Sequence, residues 1–257
     1  QIITDSLYKT LDMDTVIPTP VGIVNIGGTN TGILLDYNDE SQDVSKGDRR
    51  FFLEQVRPLR QVGEYYKRRI PLRAIGWMWN RLWAASTFLH DAGAIHAALT
   101  PDNILIQTST HHVILSNFSH ASWQQEFVRS MTNEWASIYP SEIYPKKESP
   151  QFGSDTYLIG MSLLWAFTNF DLAKAQNLFE RGKDATEAET GLPPSLWNFI
   201  SDMINPHIPA RPYRYEIETN NFRNLIHDTL GWKREWVDLP FDPNATEVDW
   251  SWWWNAS

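Results

Sequence analysis

The stretch from Phe88 to Ser119 constrains the fold more than any other part of the chain. It reads Phe-Leu-His-Asp-Ala-Gly-Ala-Ile-His-Ala-Ala-Leu-Thr-Pro-Asp-Asn-Ile-Leu-Ile, then a short polar turn, then Val-Ile-Leu-Ser-Asn-Phe-Ser. A helix end, a tight loop, an apolar strand, a turn and a second apolar strand must follow one another without a gap. Ahead of it, Ile75, Met78, Leu82, Ala85 and Leu89 recur at intervals of three and four, which predicts one amphipathic helix over residues 71–91. Trp77, Trp79 and Trp83 on that helix read as core, since an aromatic stripe is more often packing than a cofactor box.

Other segments fall into a fixed order around this stretch. Val21–Ile26 and Gly32–Tyr37 read as two strands joined by the turn Gly27-Gly28-Thr29-Asn30-Thr31. That turn has neither the G-x-G-x-x-G nor the Walker spacing, so a hairpin is favoured over a phosphate loop. Residues 1–13 carry a weak helical spacing, and Asn38–Asp48 is polar and acidic. Arg50–Tyr66 is expected to form one helix. Downstream come a variable stretch, His120–Ser137, and then Tyr139-Pro-Ser-Glu142-Ile. Ser154–Phe167 is apolar almost all round, as a buried central helix must be. Residues 171–190 are charged. Leu192–Ile204 and Asn205–Ile217 close the set, the latter containing Arg211-Pro212.

His96-Ala97-Ala98-Leu99-Thr100-Pro101-Asp102-Asn103 resembles the catalytic loop His-Arg-Asp-Leu-x-x-x-Asn of protein kinases, and Asn117-Phe118-Ser119 resembles Asp-Phe-Gly. Tyr139–Ile143 is similar to Ala-Pro-Glu, Ser154–Phe167 to the F helix with Asp155 and Gly160 in place, and Arg211 to the arginine before the last helix. The resemblance runs from about Val21 to Leu230. It implies an α+β protein kinase-like fold: a mostly helical large lobe (46–230), a reduced or truncated β small lobe (1–45) and a Trp-rich C-terminal tail (231–257). The Gly-rich loop and the strand-three lysine would have to lie before Gln1. Lys9 is the only lysine before Lys46, and no Glu precedes Glu40.

The resemblance also sorts the residues by role. Asp155 is expected to bind the loop backbone, Glu142 to pair with Arg211, and His96 to pack on Phe118; with Gly160 these are structural. The chemical positions are degenerate. Ala98 stands where the general base would be, and positioned acid–base groups contribute on the order of 10²–10⁴ in rate. Thr100 replaces the loop lysine, Ala97 the arginine, Ser119 the glycine and Asn117 the magnesium-binding aspartate. Asn103, the second metal ligand, is retained, so Asn103 and Asn117 are the candidate cofactor-binding residues. No catalytic residue and no resident metal are assigned, and ATP with magnesium is not expected as a cofactor.

Two histidine- and carboxylate-based alternatives are weaker. Asp102 as a substitute base should point away from a substrate. His111-His112 lies in a strand-to-strand turn without an acidic neighbour, so a surface turn is favoured over a metal site.

Composition limits the partners. The net charge of −9 argues against general affinity for nucleic acid. Between Lys46 and Arg73, however, nine basic residues face three acidic ones, leaving −15 elsewhere. A solvated helix face is favoured there over a docking patch. The chain has no cysteine, hence no disulfides, and no apolar run of about 18 residues that would span a bilayer.

Together these imply a pseudokinase: an inactive scaffold or protein-interaction module. Its expected partner is another protein, other domains of a larger polypeptide, or a second copy of itself. An unconventional ATP-dependent transferase using the same cleft is the alternative, and nucleic-acid docking through residues 46–73 a second one. The tail aromatics Trp232, Trp236, Trp250 and Trp252–Trp254 read as folding back on the large lobe in preference to a partner anchor. An intracellular setting is expected. A weak analogy to degenerate kinase-like domains of bacteria and phages adds a virus- or phage-encoded assembly as a further expectation.

Overall fold

The computed structural model describes residues 19–25, 31–36, 56–108, 111–123, 133–169, 171, 189–232 and 239–241. The expected helix over 1–13, the turn at 27–30, the acidic segment 38–48, residues 124–132 of the stretch 120–137, and most of the stretches 171–190 and 231–257 lie outside the described residues.

Two strands, β1 (Thr19–Asn25) and β2 (Thr31–Asp36), pair antiparallel, with Ile23 opposite Ile33 and an irregularity between Pro20 and Gly22. A three-stranded antiparallel sheet then joins β3 (Val56–Pro58), β5 (Ile104–Gln107) and β6 (His112–Leu115) in the order β3-β5-β6. A two-residue ladder pairs β4 (Ala94–Ile95) with β7 (Ser122–Trp123). These short sheets bracket the loop His96–Asn103: β4 enters it and β5 leaves it.

Residues 50–66 do not form one helix. Val56–Pro58 is a strand on the edge of the β5–β6 hairpin, and among the described residues of this stretch only Leu59–Tyr65 is helical (α1). Pro58 explains the break. It has no N–H to give a helix, and its ring biases Arg57 towards extended backbone, so the helix can begin only after it. Proline is also tolerated on an edge strand, where β3 lies.

The next helix, α2 (Ile75–Asp91), follows a single 3₁₀ turn, Leu72–Ala74, that Pro71 opens. Its tryptophans are core. Trp77, Trp79 and Trp83 are all but inaccessible, Trp79 and Trp83 stack with ring centroids 5.3 Å apart, and the Trp79 indole N–H donates to Met203 Sδ at 3.3 Å. A buried indole keeps its polar edge satisfied in this way while contributing large apolar area.

The helix α3 (Phe152–Thr168) is the axis of the molecule, with every residue from Gly153 to Thr168 buried. Helices α1, α2 and α4 (Pro194–Met203) all pack on it. Such contact on several sides demands small residues at the crossings. A β-carbon on Gly160 would sit 2.8 Å from Ile204 Cγ2, and one on Gly63 of α1 would sit 2.5 Å from the Trp165 ring. Helix α5 (Tyr215–Asn224) and a π-helical turn, Leu225–Thr229, end the helical body. Two tail residues return to the C-terminal end of α1, and a third beside them is buried. Leu239 is buried, the Tyr66 hydroxyl donates to the Pro240 carbonyl, and Phe241 meets Tyr65 edge-on at 4.9 Å. Among the described residues, no helix is long and apolar enough to cross a membrane.

Candidate functional site

The loop His96–Asn103 is shaped almost wholly by bonds to its backbone. Asp155, fully buried in the first turn of α3, accepts the His96 N–H through Oδ2 at 2.9 Å and the Ala97 N–H through Oδ1 at 2.8 Å. His90 Nε2, from the end of α2, lies 3.0 Å from the same Oδ2, and its ring stacks on Phe152 at 4.5 Å. A buried carboxylate survives only with its lone pairs engaged, and the helix N-terminus adds a favourable field. These bonds hold Ala97 at φ 56°, a left-handed conformation that alanine rarely adopts unaided. Further along, the Ser162 hydroxyl of α3 donates to the Leu99 carbonyl at 2.7 Å, and the Asn103 N–H donates to the Thr100 carbonyl at 2.9 Å.

His96 joins this loop to the second motif. Its Nε2–H donates to the Ser116 carbonyl at 3.0 Å, and its ring lies 4.8 Å from that of Phe118. Burial pushes its pKa below the usual 6.5, against the opposing pull of Asp155, so the ring is held neutral. Its Nδ1 is buried and meets no hydrogen-bond partner among the described residues.

At the chemical positions, Ala98 and Thr100 are completely buried. Ala98 offers a methyl group, and the Thr100 hydroxyl is turned into the protein without a partner among the described residues. Asn117 adopts φ 60°, so the left-handed backbone falls on an asparagine, which tolerates it, and Ser119 replaces glycine without such a demand.

The two candidate ligands bind each other. Asn103 Nδ2 donates to the Ala98 carbonyl at 2.9 Å, Asn117 Nδ2 donates to Asn103 Oδ1 at 3.1 Å, and the Ser119 hydroxyl donates to Asn117 Oδ1 at 2.6 Å. The direction of this chain is set at one end. Only an N–H₂ can face the Ala98 carbonyl, which turns Asn103 Oδ1 towards Asn117, and that in turn aims Asn117 Oδ1 at Ser119. The result is a neutral chain in which each amide oxygen already accepts a hydrogen bond. Magnesium is held through carboxylates and phosphate oxygens in near-ideal octahedral geometry, and two neutral, bonded amides fit it poorly. No group of three or more potential metal-ligating side chains occurs among the described residues. His112 opens β6 opposite Gln107, and the His111 ring meets Trp77 edge-on at 5.2 Å.

The lower support of the site is an ion pair. Glu142 and Arg211, each 2% exposed, meet through Nη1–Oε1 and through Nη2–Oε2 at 3.3 Å. Glu142 Oε1 also accepts the Ser154 hydroxyl at 2.9 Å. Arg211 donates further to the carbonyls of Asn205, Gly153 and Pro206, so all five of its N–H groups are engaged. A pocket of about 460 Å³ lies beside it, between the entry to α3 and residues 208–213, and this saturation leaves no guanidinium N–H there for an anion. The buried Tyr157 ring stands 4.8 Å from the Arg211 guanidinium, and burial pushes its hydroxyl up to about 12.

Four residues escape sequence reading: His90 on Asp155, Ser162 on Leu99, and Arg60 and Trp135 on Asp102. The Asp102 carboxylate turns to those last two residues.

No protein-family model matches the chain, and no curated protein is similar to it in sequence. Solved structures are similar in shape. Vaccinia related kinase 3 is 15% identical over 93% of this chain and 76% of its own, with a TM-score of 0.63. The ROP18 kinase domain in complex with AMP-PNP and sucrose is 15% identical over 62% of this chain, with a TM-score of 0.49. ROP2 from Toxoplasma gondii, a virulence factor with a protein-kinase fold and no enzymatic activity, is 18% identical over 62%, with a TM-score of 0.48. The matched parts span 44% and 45% of those last two chains. The buried α3, the loop it braces and the match across nearly the whole chain lead to one conclusion: this chain has a protein kinase-like fold.

Proposed function

We propose that the chain is a catalytically inactive kinase-like protein that serves as a scaffold or protein-interaction module, with residues 46–230 as its interacting body. The observation that carries this reading is the neutral chain Asn103–Asn117–Ser119, bonded end to end where two magnesium ligands would be needed, beside a buried methyl group at Ala98. Phosphoryl transfer is mostly positioning and electrostatic stabilisation of charge. Neutral amides at both ligand positions, each oxygen already accepting one hydrogen bond, equip the described residues poorly for either. The braced loop and the buried ion pair hold a shape, and a shape is what a partner recognises.

Nucleic-acid docking through residues 46–73 finds less support, since Arg60 is surrounded by Glu64, Asp102 and Glu134. Thermal unfolding with and without magnesium and ATP tests the proposal. A ligand at one hundred times its dissociation constant would add about 2.7 kcal/mol of stability. No shift is expected at millimolar nucleotide. A magnesium-dependent shift abolished by Asn103→Ala would overturn the proposal in favour of a nucleotide-dependent transferase.

A further inference from the structure

The segment Asn133–Ile138 is tied across the loop His96–Asn103 by two anchors of different kinds. One is apolar. Trp135 is 7% exposed, and its ring meets Trp165 of α3 edge-on at 5.5 Å. The other is ionic and hydrogen-bonded. The Trp135 indole N–H donates to Asp102 Oδ2 at 2.6 Å, and Arg60 reaches three carboxylates: Glu134 at 2.6 Å, Glu64 at 3.0 Å and Asp102 at 3.4 Å. The Arg60 guanidinium also lies 5.8 Å from the Trp135 ring, and its backbone N–H donates to the Pro101 carbonyl at 2.9 Å.

The charge balance makes this arrangement a spring. One guanidinium faces three carboxylates on three different elements: α1, the loop and the segment itself. While Arg60 is in place, each carboxylate is attracted to a common centre. Without it, three like charges crowd one site and push Glu134 away from Asp102. The Arg60, Asp102 and Glu134 side chains are 35%, 37% and 58% exposed, so salt reaches the ionic anchor. Trp135 is shielded from it.

We propose that Asn133–Ile138 is a strap latched onto the loop His96–Asn103 by Arg60, and that its Glu134 end opens and closes while Trp135 stays seated. The latch is a conformational device independent of nucleotide. Opening it frees the Glu134 carboxylate without unfolding α3, while Asp102 keeps its bond to the seated Trp135 indole. The proposal stands apart from catalytic status: a strap that failed to open would leave the ATP result untouched, and the reverse holds too.

Amide hydrogen exchange on the intact chain tests it, with the amides of α3 as an internal reference. In the parent, raising the salt from about 0.05 M to 0.5 M shortens the Debye length severalfold and is expected to speed exchange over residues 133–138 by roughly threefold, with α3 unchanged. Arg60→Met keeps the apolar stem and removes the charge. It is expected to speed exchange in the strap about five- to tenfold and to reverse the salt response, because salt then screens the remaining repulsion and slows opening. Glu134→Gln, at an exposed position, gives a second variant in the same direction should Arg60→Met fold poorly. Strap exchange that is insensitive to salt and to both variants would overturn the latch. So would exchange that rises equally in α3, because the effect would then be on the whole fold.

Discussion

Replacing Glu142 by Gln probes the deepest electrostatic commitment in the fold. The two partners are each 2% exposed, so solvent screens neither, and the full burden of an uncompensated charge falls on the folded state. Gln keeps the volume and one acceptor oxygen for Arg211 Nη1, but it turns an N–H₂ towards Nη2, placing donor against donor. The guanidinium cannot shed its proton, so the charge remains. Breaking a buried pair by removing one partner costs roughly 3–5 kcal/mol. For a chain of this size each kcal/mol lowers the melting temperature by about 2–4 °C, so a drop on the order of 10 °C is expected.

The matched experiment removes both charges. Glu142→Leu with Arg211→Met substitutes apolar groups of similar reach, and replacing a whole buried pair is often neutral. The carbonyls of Asn205 and Gly153 lose donors in that variant, so recovery is expected to be large but incomplete. Urea unfolding of the parent, each single variant and the double variant gives a coupling energy. A loss below about 1 kcal/mol for Glu142→Gln would refute the reasoning, as would a double variant no more stable than the singles.

Two further predictions follow from packing and titration. Gly160→Ala should destabilise by about 1–3 kcal/mol, because its β-carbon meets Ile204 Cγ2 at 2.8 Å and Met203 Cβ at 3.1 Å; a stabilisation, as at an exposed helical glycine, would show that α3 and α4 do not cross there. His96 is held neutral by burial, so below pH 6.5 the unfolded chain takes its proton first and stability falls by up to about 1.4 kcal/mol per pH unit. His96→Asn should flatten the stability profile between about pH 6.5 and 5 relative to the parent, measured by urea unfolding, and an unchanged slope would contradict a buried neutral imidazole.

Where the sequence was legible, the signal was local or carried by motif order. Ser154–Phe167 reads as a buried helix because no polar face interrupts it, and it forms α3. Helix α2 reads from its spacing alone, with only its first turn shifted by Pro71. Arg50–Tyr66 misleads for the opposite reason. Its composition suits a helix, but the pairing of Val56 with Gln107 and of Pro58 with Leu105 is set by a strand far along the chain. The same distance hides the strap. Arg60 and Asp102 are 42 positions apart and Trp135 and Asp102 are 33, so neither period nor propensity links them. The polarity of the Asn103–Asn117 chain is equally illegible, because it originates at a backbone carbonyl, that of Ala98, and not at any side chain.

That last point explains how the loop is held in shape without help from the side chains at 97, 98 and 100. Asp155 bonds the N–H groups of residues 96 and 97, Ser162 bonds the carbonyl of residue 99, and Asn103 bonds the carbonyl of residue 98. Every one of these partners is a backbone atom that any amino acid other than proline supplies. The hydrogen bonds that set the loop therefore come from α3 and from Asn103 at its end, and none of them uses the side chains at 97, 98 and 100. Side chains that would act on a substrate carry no part of that load. Ala97, Ala98 and Thr100 can occupy their positions without loosening the frame, whereas Asp155, Glu142 and Arg211 cannot change without stranding a buried charge or an unbonded N–H. A frame built this way holds its shape whether or not anything reacts in it.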